Sequence, residues 1–203
     1  MLRWMIELGR VDILHEASLL SQYTTLPRLG HLQHALNMFK YIKANIKQGW
    51  LLFDPLDYDI EWTHIRANEI PPIERAMAMK DLYHEAEDPI PHKMPKPLGK
   101  EVNINCFVDS DHAGNCVTRR SHTGIMIYIN MAPIIWYFKR KNTVETGTFG
   151  AELIALNIAT ELIESLRYKL RMMGVPLAGP VGVMCDNQSV VISESFLEST
   201  LKK

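Results

Sequence analysis

The sequence predicts an α/β fold with a mixed sheet and flanking helices in its C-terminal half. Three short runs rich in β-branched and aromatic residues, at 104–109, 123–129 and 134–138, are separated by polar or turn-forming stretches and predict an antiparallel meander. A long helical pattern follows from about Thr148 to Met173, with Gly174 and Pro176 as its stop. A short apolar strand at 181–185 and a further helical stretch complete the order strand, strand, strand, helix, strand, helix.

The N-terminal half has a different character. Residues 1–53 form a predicted helical segment, in which apolar residues recur at a spacing of three or four. This stripe predicts a packed pair of helices, with Gly49 as a helix stop; its members are Leu29, Leu32, Leu36, Phe39, Ile42 and Ile46. Seven of the 11 prolines lie within 54–100, which predicts a linker with one short helical stretch near 73–85. The predicted α/β domain therefore spans 101–203.

Composition narrows the class of protein without naming a function. The 203 residues include 22 basic and 23 acidic side chains, so net charge does not favour nucleic-acid binding and any basic surface must be local. Three cysteines without CxxC spacing disfavour both a disulfide framework and a zinc knuckle. Neither a signal peptide nor a membrane-spanning segment is recognisable, so we expect an intracellular protein with no membrane partner, cytoplasmic or nuclear.

One carboxylate lies where an apolar side chain is expected. A helical wheel places Glu152 on the same face as Leu156, Ala159 and Ile163, whereas Glu161 and Glu164 point towards solvent. A buried carboxylate is costly unless it is paired, neutralised or bound to a cation. The alternative is a glutamate of the first helical turn that is favoured by the helix dipole and reaches water.

Two aspartates directly follow apolar strands. Asp109 ends the run NINCFVD and Asp186 ends GVMCD, so each is predicted at the carboxyl end of its strand, where sites gather in open α/β sheets. An aspartate in a turn after a strand is also a common harmless arrangement. If the two strands are neighbours, Asp109, Glu152 and Asp186 converge, and a set of hard oxygen ligands favours Mg²⁺ or Mn²⁺. Asp111 is the auxiliary candidate ligand, on the same side of an extended chain.

Several polar residues near these aspartates are weaker candidates. Lys139, Arg140 and Lys141 follow the third strand, where they could neutralise substrate phosphates or form a solvated turn. Histidines 112 and 122 flank the loop that holds Arg119 and Arg120, and we expect both to be exposed rather than catalytic.

Four motifs, in order and spacing, resemble the ribonuclease H domain of copia-type retrotransposons. They are FVDSDHAG at 107–114, RRSHTG at 119–124, FGAEL at 149–153 and CDNQSV at 185–190. The upstream LRWMIELGRVDILHE and PRLGHLQHALNMFKYIK resemble the end of the reverse transcriptase in the same Pol polyprotein, so the resemblance covers nearly the whole chain.

The resemblance implies a ribonuclease H-like mixed sheet, two bound divalent ions, Mg²⁺ or Mn²⁺, and cleavage of the RNA strand of an RNA–DNA hybrid. It implies that Asp109 bridges the two ions, that Glu152 holds one of them and that Asp186 helps to place the attacking water. Asp109, Glu152 and Asp186 are thus the predicted catalytic residues. The hybrid and the remainder of the Pol polyprotein are the implied partners. Its predicted contacts to nucleic acid are Arg119, Arg120, Lys139, Arg140, Asn187 and Gln188.

The sequence departs from the family pattern at three points. The last strand and helix of the family fold, which bring a fourth carboxylate, would lie beyond Lys203, so the domain is expected to be incomplete. Gly147 stands where a small hydroxyl residue is usual, and Thr148 could compensate for it. No YxDD polymerase motif occurs. The alternative to an active nuclease is therefore an impaired transposon remnant that folds partly and at most binds nucleic acid or a partner.

Overall fold

The computed structural model describes residues 2–46, 90–115 and 117–195, and the bounds of its elements follow the sequence prediction closely. We number these elements in chain order. The helices are α1 (Leu2–Glu7), a 3₁₀ turn (Val11–Ile13), α2 (Leu14–Ser21), α3 (Leu29–Ala44), α4 (Thr148–Met172) and α5 (Gln188–Ser195). The strands are β1 (Ile104–Ser110), β2 (His122–Ile129), β3 (Ala132–Arg140) and β4 (Gly182–Cys185).

The four strands form a mixed sheet in the order β3-β2-β1-β4. The first three make the predicted antiparallel meander, and β4 returns parallel to β1 after the crossover through α4. The β2–β3 hairpin turns at Asn130 and Met131, and Asn130 has a φ of 54°, a conformation that asparagine tolerates better than most residues. The α/β class is thus confirmed, and the condition that β1 and β4 are neighbours is met.

Helix α4 covers one face of this sheet and closes the main hydrophobic core. Ala151, Ala155 and Ala159, spaced four residues apart, are fully buried and allow a close approach of the helix to the strands. The side chains that face them come from alternate positions of β1 and β2, namely Ile104, Cys106, Val108, Ile125 and Ile127. Glu161 and Glu164 are exposed, as the helical wheel predicts.

The end of α4 sets the direction of the chain into β4. Gly174 has a φ of 73°, and the N–H of Val175 donates to Leu170 O at 2.9 Å while that of Gly174 donates to Arg171 O at 2.9 Å. This pair of hydrogen bonds is the Schellman arrangement, in which glycine supplies the left-handed conformation. The following segment runs beside Val102 and delivers β4 to the free side of β1.

The N-terminal helices pack on the sheet through a second apolar cluster. Ile6, Ile13, Met38 and Ile42 form it, and Trp136 of β3 packs against it. The prediction that the apolar stripe of α3 is its packed face is wrong. Ile42 is buried, but Leu29 is 83% exposed, and the other members of the stripe are exposed too: Leu32, Leu36, Phe39 and Ile46. The helix turns Met38 and Ile42 to α1 and α2, because periodicity shows which residues share a face but not what covers it.

Part of the predicted linker can be compared with the structure. Residues 90–100 contain neither helix nor strand, whereas Gly49, most of the linker and its predicted helical stretch at 73–85 lie outside the described residues. Within the ranges described, no helix combines the length and apolarity needed to cross a membrane.

Candidate metal centre

The two strand-end aspartates come together because β1 and β4 are parallel neighbours. Val108 of β1 is in register with Cys185 of β4, so the next residues along the two strands are Asp109 and Asp186. Both aspartates are exposed at the same edge of the sheet. The register of the two strands therefore brings Asp109 and Asp186 to neighbouring positions at the carboxyl ends of β1 and β4.

Glu152 of α4 faces this edge from the buried side. Its side chain is 5% exposed, and Oε1 accepts a hydrogen bond from the Ser110 N–H at 3.3 Å. Oε2 is buried and has no hydrogen-bond partner. The alternative in which this glutamate simply reaches water is not what the structure shows. A buried carboxylate oxygen without a donor is the arrangement that a bound cation would satisfy.

The electrostatic setting of Glu152 is unfavourable without a cation. Burial raises the pKa of Glu152, and the negative charges of Asp109 and Asp186 raise it further. The Ser110 N–H and the Lys141 ammonium act in the opposite direction but do not cancel the rise. Burial and the two neighbouring aspartates therefore favour the protonated form of Glu152. A bound divalent ion would favour the charged form instead.

Among the residues that the structure describes, one close group of donor atoms includes a thiol that the sequence did not single out. One ligand atom each from Glu152, Cys185 and Asp186 lie within 4.8 Å of one another, and this group could hold a metal ion. Asp109 is near enough to affect the pKa of Glu152 but does not belong to the group. Cys185 directly precedes Asp186, and the alternation of side chains along β4 turns Cys185 towards α4. This alternation could have predicted from the sequence that Cys185 lies near Glu152.

Lys141 is a structural cation rather than part of a solvated turn. Its side chain is only 6% exposed, and Nζ donates to Ser110 Oγ at 2.8 Å and to the carbonyl oxygen of Ala151. Burial lowers the pKa of Lys141, while the negative charges of Glu145, Glu152 and Asp111 partly restore it. The ammonium therefore ties the end of β1 to the first turn of α4, the two elements that present the site.

Asp111 points to His122 and not into the group of Glu152, Cys185 and Asp186. Its carboxylate accepts hydrogen bonds from His122 N at 2.5 Å and from His122 Nδ1 at 2.9 Å. Gly114 packs against the Asp111 carboxylate, and a Cβ at Gly114 would lie 2.0 Å from Asp111 Oδ2.

The expectation that His122 is exposed is wrong. His122 is the first residue of β2 and is 3% exposed, whereas His112 is exposed. Asp111 as an auxiliary ligand stays a prediction.

A charge-neutralising variant tests whether Asp111 is a metal ligand or only a hydrogen-bond partner of His122. Because Asp111 points to His122, and an asparagine oxygen can still accept the His122 N–H, we expect Asp111→Asn to change Mn²⁺ affinity less than about threefold. Asp186→Asn should weaken it at least about tenfold, since even outer-shell partners of a metal are worth about 10- to 100-fold. Calorimetric titration of both variants with Mn²⁺ measures the difference. Equal losses of affinity would make Asp111 a ligand.

Gln22, at the end of α2, joins the N-terminal helices to the Asp111–His122 pair. Its Nε2 lies 3.1 Å from His122 Nε2, and its Oε1 accepts hydrogen bonds from Asn115 Nδ2 at 3.0 Å and Arg140 Nη1 at 2.8 Å. The side chain of Ser18 adds a bond to Phe138 O at 3.3 Å. The N-terminal segment thus supports the loop that follows β1.

Loss of this amide should destabilise the chain. We expect Gln22→Ala to lower the free energy of unfolding by about 1–2 kcal/mol, because it leaves part-buried partners of three side chains unsatisfied. The matched control is Gln33→Ala on α3, whose side chain makes only an exposed contact with Asn37 and should change stability by less than about 0.5 kcal/mol. Urea unfolding measures both, and equal effects would show that Gln22 contributes nothing specific.

The predicted nucleic-acid contacts differ in how exposed and how engaged their side chains are. Arg119 and Lys139 are exposed, whereas Arg120 is half-buried and Arg140 is engaged with Gln22. Asn187 is used locally, because its Oδ1 accepts the N–H groups of Ser189 and Val190 at the start of α5. Gln188 is exposed. The N-cap of α4 is Gly147, and no side chain caps it there.

Comparison with known proteins does not identify the chain. No protein-family model matches it, and no solved structure matches it significantly. The fold and the site geometry therefore carry the functional argument.

Proposed function

We propose that this chain is a divalent-metal-dependent ribonuclease H domain of a copia-type retrotransposon Pol polyprotein, which cleaves the RNA strand of RNA–DNA hybrids. The observation that carries the proposal is the meeting of Asp109, Asp186 and Glu152 at one sheet edge, with a buried, unpartnered oxygen on Glu152. The four-stranded mixed sheet with one parallel pair is compatible with a ribonuclease H-like fold.

The carboxylate oxygens of the site are the ligands that hard divalent ions prefer. Asp109, Glu152 and Asp186 would hold Mg²⁺ or Mn²⁺, two ions in the complete site, and such ions supply activation of a water and stabilisation of the leaving oxygen. Glu152 is held for this task by the Ser110 N–H, and Asp109 and Asp186 offer exposed carboxylates on the solvent side. Lys141 fixes the spacing between β1 and α4.

Substrate binding would use exposed cations. Arg119 and Lys139, which are both exposed, would contact backbone phosphates, and such contacts give affinity without base specificity. Selectivity for a hybrid would come from the 2′-hydroxyl groups of the RNA strand and the shape of its groove.

The experiment is cleavage of a labelled RNA–DNA hybrid in Mg²⁺ and in Mn²⁺, with matched duplex DNA and duplex RNA as substrates. We expect metal-dependent cleavage of the hybrid's RNA strand, and its loss in Asp109→Asn. Asp12→Asn, in the N-terminal segment, is the control for a charge change away from the site. Cleavage that survives Asp109→Asn would reject the site, and no metal-dependent cleavage by the wild type would reject the enzyme.

The second candidate is a catalytically impaired remnant that only binds nucleic acid. It is favoured by one observation: the Asp109 carboxylate lies outside the close group formed by Glu152, Cys185 and Asp186. This candidate predicts retention of the hybrid in a binding assay together with no cleavage in either metal.

A further inference from the structure

The sheet edge presents two different donor sets on its two sides. Strand alternation places Val108 and Cys185 on the side covered by α4, where both belong to the main core, and Asp109 on the opposite, exposed side. Glu152 and Asp186 form a close group with Cys185, and the charge of Asp109 acts on Glu152 from the other side. The carboxylates of Glu152 and Asp186 could therefore bind an ion either together with the Asp109 carboxylate or together with the Cys185 thiolate.

We propose that Glu152, Cys185 and Asp186 form a binding site for a thiophilic divalent cation of the Zn²⁺ or Cd²⁺ type, distinct in its donor set from the carboxylate site proposed for Mg²⁺. Thiolate ligands select such ions, whereas carboxylates alone suit Mg²⁺ and Mn²⁺. Two observations carry this proposal independently. The three donor atoms lie within 4.8 Å of one another, and Oε2 of the nearly fully buried Glu152 has no hydrogen-bond partner.

The three donor atoms can reach a small tetrahedral ion by side-chain rotation. Zn²⁺ binds thiolate sulfur at about 2.3 Å and carboxylate oxygen at about 2.0–2.2 Å, so two donor atoms on one tetrahedral ion lie about 3.3–3.8 Å apart. The donor atoms of Glu152, Cys185 and Asp186 lie within 4.8 Å of one another, so they have to move by about 1 Å to reach that spacing. Binding is an exchange: the sulfur–metal bond forms as the S–H bond breaks, and the proton passes to solvent with no oxidant or reductant. With three protein ligands, a water molecule would complete the four-coordinate site.

A consequence for the proposed nuclease follows from the shared carboxylates. An ion bound to Cys185 engages Glu152 and Asp186 on the α4 side, so these two groups are no longer free to act together with Asp109. We therefore expect thiophilic ions to inhibit Mg²⁺-dependent cleavage by competing for Glu152 and Asp186. Only this consequence rests on the proposed function; the metal site itself does not.

The test is titration of the reduced full chain with Cd²⁺, followed by the sulfur-to-metal charge-transfer absorption in the ultraviolet. The matched variants are Cys185→Ser, Cys106→Ser and Cys116→Ser. Cys106 is a stringent control because it is fully buried on the neighbouring strand. It lies on the same side of the sheet as Cys185 but outside the donor group.

We expect a band of one thiolate per chain in the wild type, Cys106→Ser and Cys116→Ser, and its loss in Cys185→Ser. Calorimetry should show that Cys185→Ser weakens Cd²⁺ at least about tenfold more than Mn²⁺. Asp186→Asn, which changes an exposed side chain and keeps the thiol, should weaken Cd²⁺ at least about tenfold and so tests the site without altering the core.

No band in the wild type, a band that persists in Cys185→Ser, or loss of the band in either control variant would overturn the proposal. Its failure is distinguishable from failure of the nuclease proposal. Hybrid cleavage in Mg²⁺ without a Cd²⁺ band rejects only the mixed site, and a Cd²⁺ band without cleavage rejects only the nuclease.

Discussion

Glu152→Gln is expected to weaken Mn²⁺ binding at least about 100-fold and, without metal, to stabilise the chain. The loss of affinity follows from removing the charge of the buried carboxylate, a direct ligand in the proposed site, whose outer-shell counterparts alone are worth about 10- to 100-fold. The gain in stability follows because burial and the charges of Asp109 and Asp186 disfavour ionised Glu152 in the folded state.

The two effects are measured separately. Calorimetry gives the Mn²⁺ affinity, and thermal unfolding in a chelator should show a melting temperature raised by about 2–4 °C, which corresponds to about 1 kcal/mol for a chain of this size. Glu164→Gln is the matched control, since Glu164 lies on the same helix and is exposed. If Glu152→Gln lowered both metal affinity and metal-free stability, Glu152 would be a structural residue and not a strained ligand.

The same variant changes how stability depends on pH. Glu152 has a folded-state pKa above its unfolded value of 4.5, so the folded chain holds more protons between those two values. The free energy of unfolding of the metal-free chain therefore falls as the pH rises from about 4.5 through the raised pKa, and the penalty stays at higher pH. In Glu152→Gln this contribution to the fall should be absent, which chemical unfolding across that pH range measures.

Local patterns of the sequence were sufficient for the sheet and for the acidic residues at its edge. Short runs rich in β-branched and aromatic residues, bounded by turn-forming stretches, predicted β1 and β2, and a short apolar run predicted β4. The helical wheel found Glu152, because a single acid inside an apolar stripe is visible without any tertiary information. Catalysis and the identity of the metal stay predictions.

The parts that could not be predicted depend on contacts between distant residues. Gln22 and His122 are 100 positions apart, and no local periodicity links them. Lys141 follows the end of a strand, where a solvated turn is the ordinary outcome, and only the folded chain shows Ser110 and Ala151 around it. The exposed stripe of α3 illustrates the same limit, because an apolar face does not specify its partner.

Lys141→Ala is expected to destabilise the chain by about 2–4 kcal/mol. The substitution leaves Ser110 Oγ and the carbonyl oxygen of Ala151 without their charged donor, and hydrogen bonds to charged groups are worth about 1.5–3 kcal/mol each. It also removes a positive charge that lowers the pKa of the buried Glu152. Urea unfolding measures the change, with Lys139→Ala as the control: Lys139 is exposed two residues away, and its loss should cost less than about 0.5 kcal/mol.

The effect of Lys141→Ala on metal binding has the opposite sign to that of Glu152→Gln. The ammonium of Lys141 partly neutralises Glu152, so its removal leaves a more negative site that attracts a divalent cation more strongly. Under conditions where the variant stays folded, Mn²⁺ should therefore bind more tightly to Lys141→Ala than to the wild type, and saturating Mn²⁺ should recover part of the lost stability. Weaker Mn²⁺ binding by a folded Lys141→Ala chain would show that Lys141 acts by positioning Glu152, because a purely electrostatic neighbour cannot lower the affinity when its positive charge is removed.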